Sequence, residues 1–207
     1  MQKALTEFIG TFFLVLTVGC SVLGAGPGII PPLAIGSALM VMIYAGGHVS
    51  GAHYNPAVTL GVLVRGRCTV ADLVSYWIAQ VVAAVVAAMV VLYFRTDTAT
   101  PVLVRPAAAA LAEVLFTFAL VYVILNVATA KATSGNSYFG LAIGFTVLAG
   151  AFSVGSVSGG AFNPAVAVGA MILHLLPWSN LPLYVVSEFA GGVAAALAFR
   201  IINPNDR

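Results

Sequence analysis

The sequence predicts an all-helical integral membrane protein: six transmembrane helices plus two half-helices, built as an inverted repeat. Three observations predict it. The 207 residues are 61% hydrophobic and 7% charged, with mean hydropathy +1.09, outside the composition of a soluble domain. The apolar runs suffice for about six spans of ~20 residues. A polar, glycine-rich pattern also occurs twice, 108 positions apart: Ser50-Gly51-Ala52-His53-Tyr54-Asn55-Pro56-Ala57-Val58 and Ser158-Gly159-Gly160-Ala161-Phe162-Asn163-Pro164-Ala165-Val166.

The spans are read over 4–24, 33–49, 70–93, 107–130, 138–155 and 181–202. The first resembles a signal peptide in that Lys3 precedes an apolar run. Glu7 lies inside that run, however, and a matching segment recurs around Glu113 in mid-chain, so the segment is read as a retained helix. Two further apolar stretches, Pro56–Arg65 and Pro164–His174, are too short to span. At ~1.5 Å per residue each covers about half of a ~30 Å hydrocarbon core. Both are expected as half-helices.

The duplication extends past the Asn-Pro turns. Leu33-Ala34-Ile35-Gly36 returns as Leu141-Ala142-Ile143-Gly144, and Tyr76, Gln80, Ala87 and Ala88 align with Tyr184, Glu188, Ala195 and Ala196. Ala4-Leu5-Thr6-Glu7 matches Ala110-Leu111-Ala112-Glu113 at an offset of 106. The chain is thus expected to form one channel domain over 1–207, with a first repeat over 1–105 and a second over 106–207. Three spans per repeat force the second copy to enter with opposite orientation, about a pseudo-two-fold axis in the membrane plane. One half-helix then enters from each side, and their N-termini meet near the midplane. With the N-terminus inside, six of the eight Lys and Arg residues (Lys3, Arg65, Arg67, Lys131, Arg200, Arg207) are cytoplasmic, and Arg95 and Arg105 are outside. That bias places both termini in the cytoplasm.

A lone Asn-Pro is usually a turn initiator. Two in register, each after Ser-Gly and before a half-length apolar run, point elsewhere. Lipid cannot satisfy bare backbone groups, so such turns at membrane depth must face protein or a wet cavity. Asn is a strong N-cap and Pro suits the first helical position. Asn55 can accept from the N–H of Ala57 or Val58, and Asn163 from Ala165 or Val166. Each carboxamide NH₂ is then left as a donor aimed into the gap. Two helix N-termini add roughly half a positive charge each, which repels cations and protons and turns water oxygen-first.

This arrangement resembles the aquaporin (major intrinsic protein) family over essentially the whole chain, and its twin Asn-Pro-Ala signatures are highly specific. The resemblance implies an aquaporin-like right-handed bundle, a pore in each protomer and assembly into homotetramers. It implies Asn55 and Asn163 as the central pore donors, with carbonyls of Gly51, Ala52, His53, Ser158, Gly159 and Gly160 as a ladder of acceptors. It also puts Ile35, Ala151, Gly160 and Val166 at the outer constriction. Water-selective members mostly carry Arg where this chain has Val166. A throat without cation, imidazole or aromatic ring predicts a wider, less polar passage. The expected permeants are water, followed by small neutral solutes such as glycerol, urea, ammonia or hydrogen peroxide; the alternative is a glycerol- or urea-type facilitator with little preference for water.

Intramembrane carboxyls normally face the bundle interior or a cavity. Glu7 and Glu113, symmetric in the repeat, are read as supports for the half-helix loops rather than as a proton relay. Glu188 is read as a buried structural carboxyl, with a lining or gating role as the alternative. His48 either lines the cytoplasmic vestibule or bonds to a neighbouring loop. His174 is a cap or surface residue, and Tyr76 and Tyr184 pack or sit at an interface. Small residues in 83–88 and 191–196 suit close helix crossings. Cys20 and Cys68 suggest neither a disulfide framework nor a metal site, and no cofactor is expected.

A secondary transporter also uses inverted repeats with broken helices, but no acid adjoins either Asn-Pro turn to couple an ion. A non-conducting junctional protein would not need the donors. No nucleophile–base pair, metal-ligand cluster or phosphate loop suggests an enzyme, and nothing suggests nucleic-acid binding. The expected setting is the lipid bilayer of the plasma membrane.

Overall fold

The computed structural model describes residues 1–25, 28–96 and 101–206. In chain order its helices are α1 (Gln2–Ala25), α2 (Ile30–Ser50), α3 (Pro56–Arg65), α4 (Val70–Phe94), α5 (Pro106–Ile124), α6 (Phe139–Ser158), α7 (Pro164–Ile172) and α8 (Leu181–Ile202). Six are long and apolar enough to cross a membrane; α3 and α7 are not. The described residues contain no strand.

Local chemistry sets the ends. α2 starts at Ile30, ahead of the expected 33, because Pro31 and Pro32 occupy its first turn, where a missing N–H costs nothing. α4 is capped by Thr69, whose Oγ1 accepts the Asp72 N–H at 3.0 Å. The span expected to reach 130 leaves α-geometry at Ile124 and passes through a π-helical turn, Leu125–Thr129. Polar side chains take its carbonyls there: Thr129 Oγ1 donates to Leu125 O at 2.6 Å and Asn136 Nδ2 to Val127 O at 2.7 Å. α6 continues past the expected 155 to Ser158, so it runs straight into its loop, as α2 does.

The half-helices end alike. Gly66 (φ 85°) donates its N–H to Leu63 O and Arg67 donates to Val62 O. In the second repeat His174 (φ 58°) donates to Met171 O and Leu175 to Ala170 O. Both are left-handed Schellman closures. α7 therefore stops at Ile172 rather than at the expected 174, and His174 stands exposed in the closing turn.

α1 packs on α2 and α4; α5 packs on α6 and α8; α2 against α6 joins the halves. The half-helices cross over, α3 lying chiefly on α8 and α7 chiefly on α4. Small residues permit the α2–α6 crossing: a Cβ on Gly144 would stand 2.5 Å from Gly36 O. Ile9, Phe13, Ile78, Phe145 and Val186 face outward as part of an apolar belt suited to lipid. Lys3 pairs with Asp72 at 3.3 Å, and Asp206 receives Arg65 Nη2 at 2.6 Å and the Lys131 N–H at 2.8 Å. Both ends of the described chain, the end of α3 and the loop after α5 therefore share one face. Arg207 lies outside the described residues.

Candidate functional site

The tips of α3 and α7 meet through their N-caps. Asn55 Oδ1 accepts the N–H groups of Ala57 (2.8 Å) and Val58 (3.3 Å), and Asn163 Oδ1 accepts those of Ala165 (3.0 Å) and Val166 (3.5 Å). The amide nitrogens then reach across: Asn55 Nδ2 donates to Phe162 O at 2.8 Å and Asn163 Nδ2 to Tyr54 O at 2.9 Å. The sequence reading left each NH₂ wholly free. In the structure each commits one hydrogen to the opposite loop and keeps one in reserve.

The loops before the tips are strained. Ala52, Tyr54 and Phe162 hold φ of 53°, 51° and 50°, a left-handed conformation that costs a side-chain-bearing residue on the order of 1–3 kcal/mol. Buried carboxylates hold them there. Glu7 Oε1 accepts Ser50 Oγ (2.7 Å) and the His53 N–H (2.9 Å), while Oε2 accepts the Tyr54 N–H (2.6 Å) and Gln80 Nε2 (2.8 Å). Glu113 Oε1 accepts Ser158 Oγ (2.7 Å) and the Ala161 N–H (3.1 Å), and its Oε2 accepts the Phe162 N–H (2.7 Å). Charge-assisted bonds of this kind are about twice as strong as neutral ones, enough to offset the backbone strain.

Sequence reasoning missed the partners of this network. Tyr76 donates its hydroxyl to Ser50 O at 2.8 Å, and Tyr184 donates to Ser158 O. Their matched positions in the repeat were the available signal. Ser158, expected to offer its carbonyl to the path, is fully buried, accepts the Tyr184 hydroxyl on that carbonyl and does not stand on the cavity wall.

A cavity of about 720 Å³ runs past both asparagines. Along α2 its wall reaches from Pro31 to Ile43, ~18 Å at the helical rise. Ile35, Ala151, Gly160 and Val166 all stand on this wall, as do Ala52, His53 and Gly159. Gly51 is exposed where α2 ends, and His48 is exposed one turn earlier; neither lies on the wall. No charged side chain lines the cavity among the described residues; beyond the loop backbone, its polar groups are chiefly Asn55, Asn163, His53 and Ser156. His53 is itself locked. Thr59 Oγ1 spends its single hydrogen on Asn55 O (3.0 Å), so His53 Nδ1, 3.1 Å away, carries the hydrogen between them and Nε2 is left as an acceptor.

Comparison with known proteins agrees with this architecture. The family described as Major intrinsic protein matches residues 1–199. "Aquaporin NIP1-4" of Oryza sativa subsp. japonica is 36% identical over 212 residues, covering 98% of this chain and 77% of its own. "Glycerol uptake facilitator protein-like 6" of Lactiplantibacillus plantarum is 34% identical over 220 residues, covering 100% of both. The X-ray structure of the aquaglyceroporin from Plasmodium falciparum superposes with a TM-score of 0.82 at 23% identity, covering 98% of this chain and 97% of that one, a likeness of fold. With the twin capped half-helices, the shared cavity and a family match over nearly its whole length, this chain belongs to the major intrinsic protein family.

Proposed function

We propose that the protein is a passive membrane channel for water and small neutral solutes. The observation that carries the reading is one cavity lined by both half-helix N-caps. Asn55 and Asn163 act as the central donors, each offering its remaining amide hydrogen to a passing oxygen. Two facing helix N-termini oppose cations and protons there. Glu7 and Glu113 act as loop supports. The carbonyls of Ala52, His53, Gly159 and Gly160 serve as acceptors on either side of the donors.

Ile35, Ala151, Gly160 and Val166 form the outer constriction. An aliphatic throat gives a solute such as glycerol or urea an apolar wall and removes the cation that would narrow it. The likeness to a Lactiplantibacillus protein described as glycerol uptake facilitator-like supports the same direction. Each protomer conducts within a homotetramer in the plasma membrane, with both termini cytoplasmic and the repeats 1–105 and 106–207 crossing in opposite senses. Stopped-flow measurement of water and glycerol flux into proteoliposomes tests the filter. Val166→Arg is expected to keep water flux and to cut glycerol flux by about tenfold or more, since a cation then occupies the throat. Unchanged solute selectivity overturns the filter assignment. Saturable flux driven by an ion gradient would instead identify a transporter.

A further inference from the structure

The two loop supports share a plan and differ in one donor. Glu7 receives four hydrogen bonds, two on each oxygen, and the fourth comes from Gln80. Glu113 receives three from its loop, one of them on Oε2. The residue at the Gln80 position of the second repeat is Glu188. Its carboxyl sits beside that of Glu113, the two accepting consecutive backbone N–H groups: Phe162 donates to Glu113 Oε2 and Asn163 to Glu188 Oε1. Glu188 Oε1 accepts the Asn163 N–H at 3.0 Å, whereas Oε2 is fully buried with no protein donor.

Two acceptor-only carboxylates cannot share such a site without a hydrogen between them. Tyr184 spends its hydrogen on Ser158 O and Ser158 Oγ on Glu113 Oε1, while the buried hydroxyl of Thr117, one turn beyond Glu113, bonds to neither carboxyl. The hydroxyl of Thr59, which gives Gln80 a second partner at 3.2 Å, has become Ala167 in the second repeat. Among the described residues no cation pairs with either carboxyl; Arg65, which also packs against α8, sits over Phe199, eleven residues beyond Glu188.

We infer that Glu188 is a positioning residue that holds a proton: Oε2–H donates to Glu113 while Oε1 accepts the Asn163 N–H. A carboxylic acid thereby stands in for the Gln80 carboxamide as the fourth donor to the loop-holding carboxylate. The Glu113–Glu188 pair then carries one negative charge, the same as Glu7 with Gln80. The acid also links the support of the second loop to the backbone of Asn163, whose amide crosses to Tyr54 O.

Infrared spectroscopy of the reconstituted full chain at neutral pH, paired with water flux, tests this. Wild type shows a protonated-carboxyl C=O stretch. Glu188→Gln removes that band and keeps water permeability within about twofold, because the amide replaces the donor. Glu188→Ala leaves Glu113 one donor short and lowers permeability by about tenfold, the scale of one lost buried bond. A wild-type spectrum without the band, a band undiminished in Glu188→Gln, or a folded Glu188→Gln protein as impaired as the alanine variant overturns the inference. Should Glu188→Gln not accumulate, Gln80→Glu carries the test by building a second acid pair: the band must grow, and a band that does not grow overturns it. The flux readout rests on the channel reading and the band does not, so a band without wild-type flux would fault the channel alone.

Discussion

Asn55 and Asn163 each use one carboxamide twice, the oxygen capping their own helix and the nitrogen bridging to the other loop. Aspartate separates the two roles, because as a carboxylate it caps as well as asparagine but cannot donate. In Asn55→Asp the second oxygen would face Phe162 O across the 2.8 Å now filled by an N–H donor. The variant is expected to lose about 1–3 kcal/mol for the broken buried bond, and Asn55→Ala about 1 kcal/mol more for the cap. Denaturant unfolding in detergent orders the three proteins; equal stability of wild type and Asn55→Asp would mean the bridge contributes nothing. The caps were legible because capping is local chemistry. The Tyr184 bond was not, since nothing nearby in sequence says a hydroxyl 26 residues away will take the Ser158 carbonyl. His174 was legible as a cap, but not as a residue in left-handed conformation. It is exposed there and fills the place that Gly66 fills in the first repeat. His174→Gly should therefore stabilise by roughly 1 kcal/mol, read as a higher melting temperature in detergent.

At the scale of elements, hydropathy and length located every span, and the Asn-Pro pairs placed the start of both half-helices at Pro56 and Pro164. Ends that depend on tertiary hydrogen bonding escaped. The apolar run after Ile124 reads as helix to 130, yet Thr129 and Asn136 take carbonyls there and widen the turn. The α2–α6 crossing was not read from the sequence, where Gly36 and Gly144 stood out only as matched positions of the repeat. The structure makes them reciprocal: a Cβ on Gly144 meets Gly36 O at 2.5 Å, and one on Gly36 meets Gly144 O at 2.8 Å. Backbone cannot swing aside, so the helices must separate. Gly36→Ala and Gly144→Ala should each cost about 1–3 kcal/mol. One separation relieves both clashes, so the double variant should cost clearly less than the sum. A double-mutant cycle of unfolding free energies checks this, and strict additivity would mean that the two positions do not share one contact. Both helices wall the cavity, through Ile35 and Leu39 on one and Val147 and Ala151 on the other, so reduced water flux should accompany the lost stability.

At the scale of the whole molecule, one carboxyl ties three distant segments together. Asp206 follows α8, accepts the N–H of Lys131 in the loop after α5, and accepts Arg65 Nη2 at the end of α3. Arg65 needs that partner: its side chain is 1% exposed and lies flat on Phe199, 4.5 Å from the ring centre. Charge counting had used Arg65 only as a marker of sidedness, and its burial against the chain's end became visible only in three dimensions. The Lys131 N–H, followed by the Arg65 and Lys131 charges, holds the Asp206 carboxyl below the ordinary aspartate range. A depressed folded value means that the tie contributes in full above the unfolded pKa of ~3.9 and is lost as pH falls through the folded one. Wild type should therefore melt above Asp206→Asn at pH 7, with the difference closing below about pH 4. Using the difference between the two proteins cancels the titration of every other carboxyl. Salt should narrow it little, because the Arg65 side of the pair is buried and poorly screened. Parallel melting curves across the acid range, with the gap intact, would show that the neutral acid holds the three segments as well as the carboxylate does, and the ionic tie would have to be abandoned.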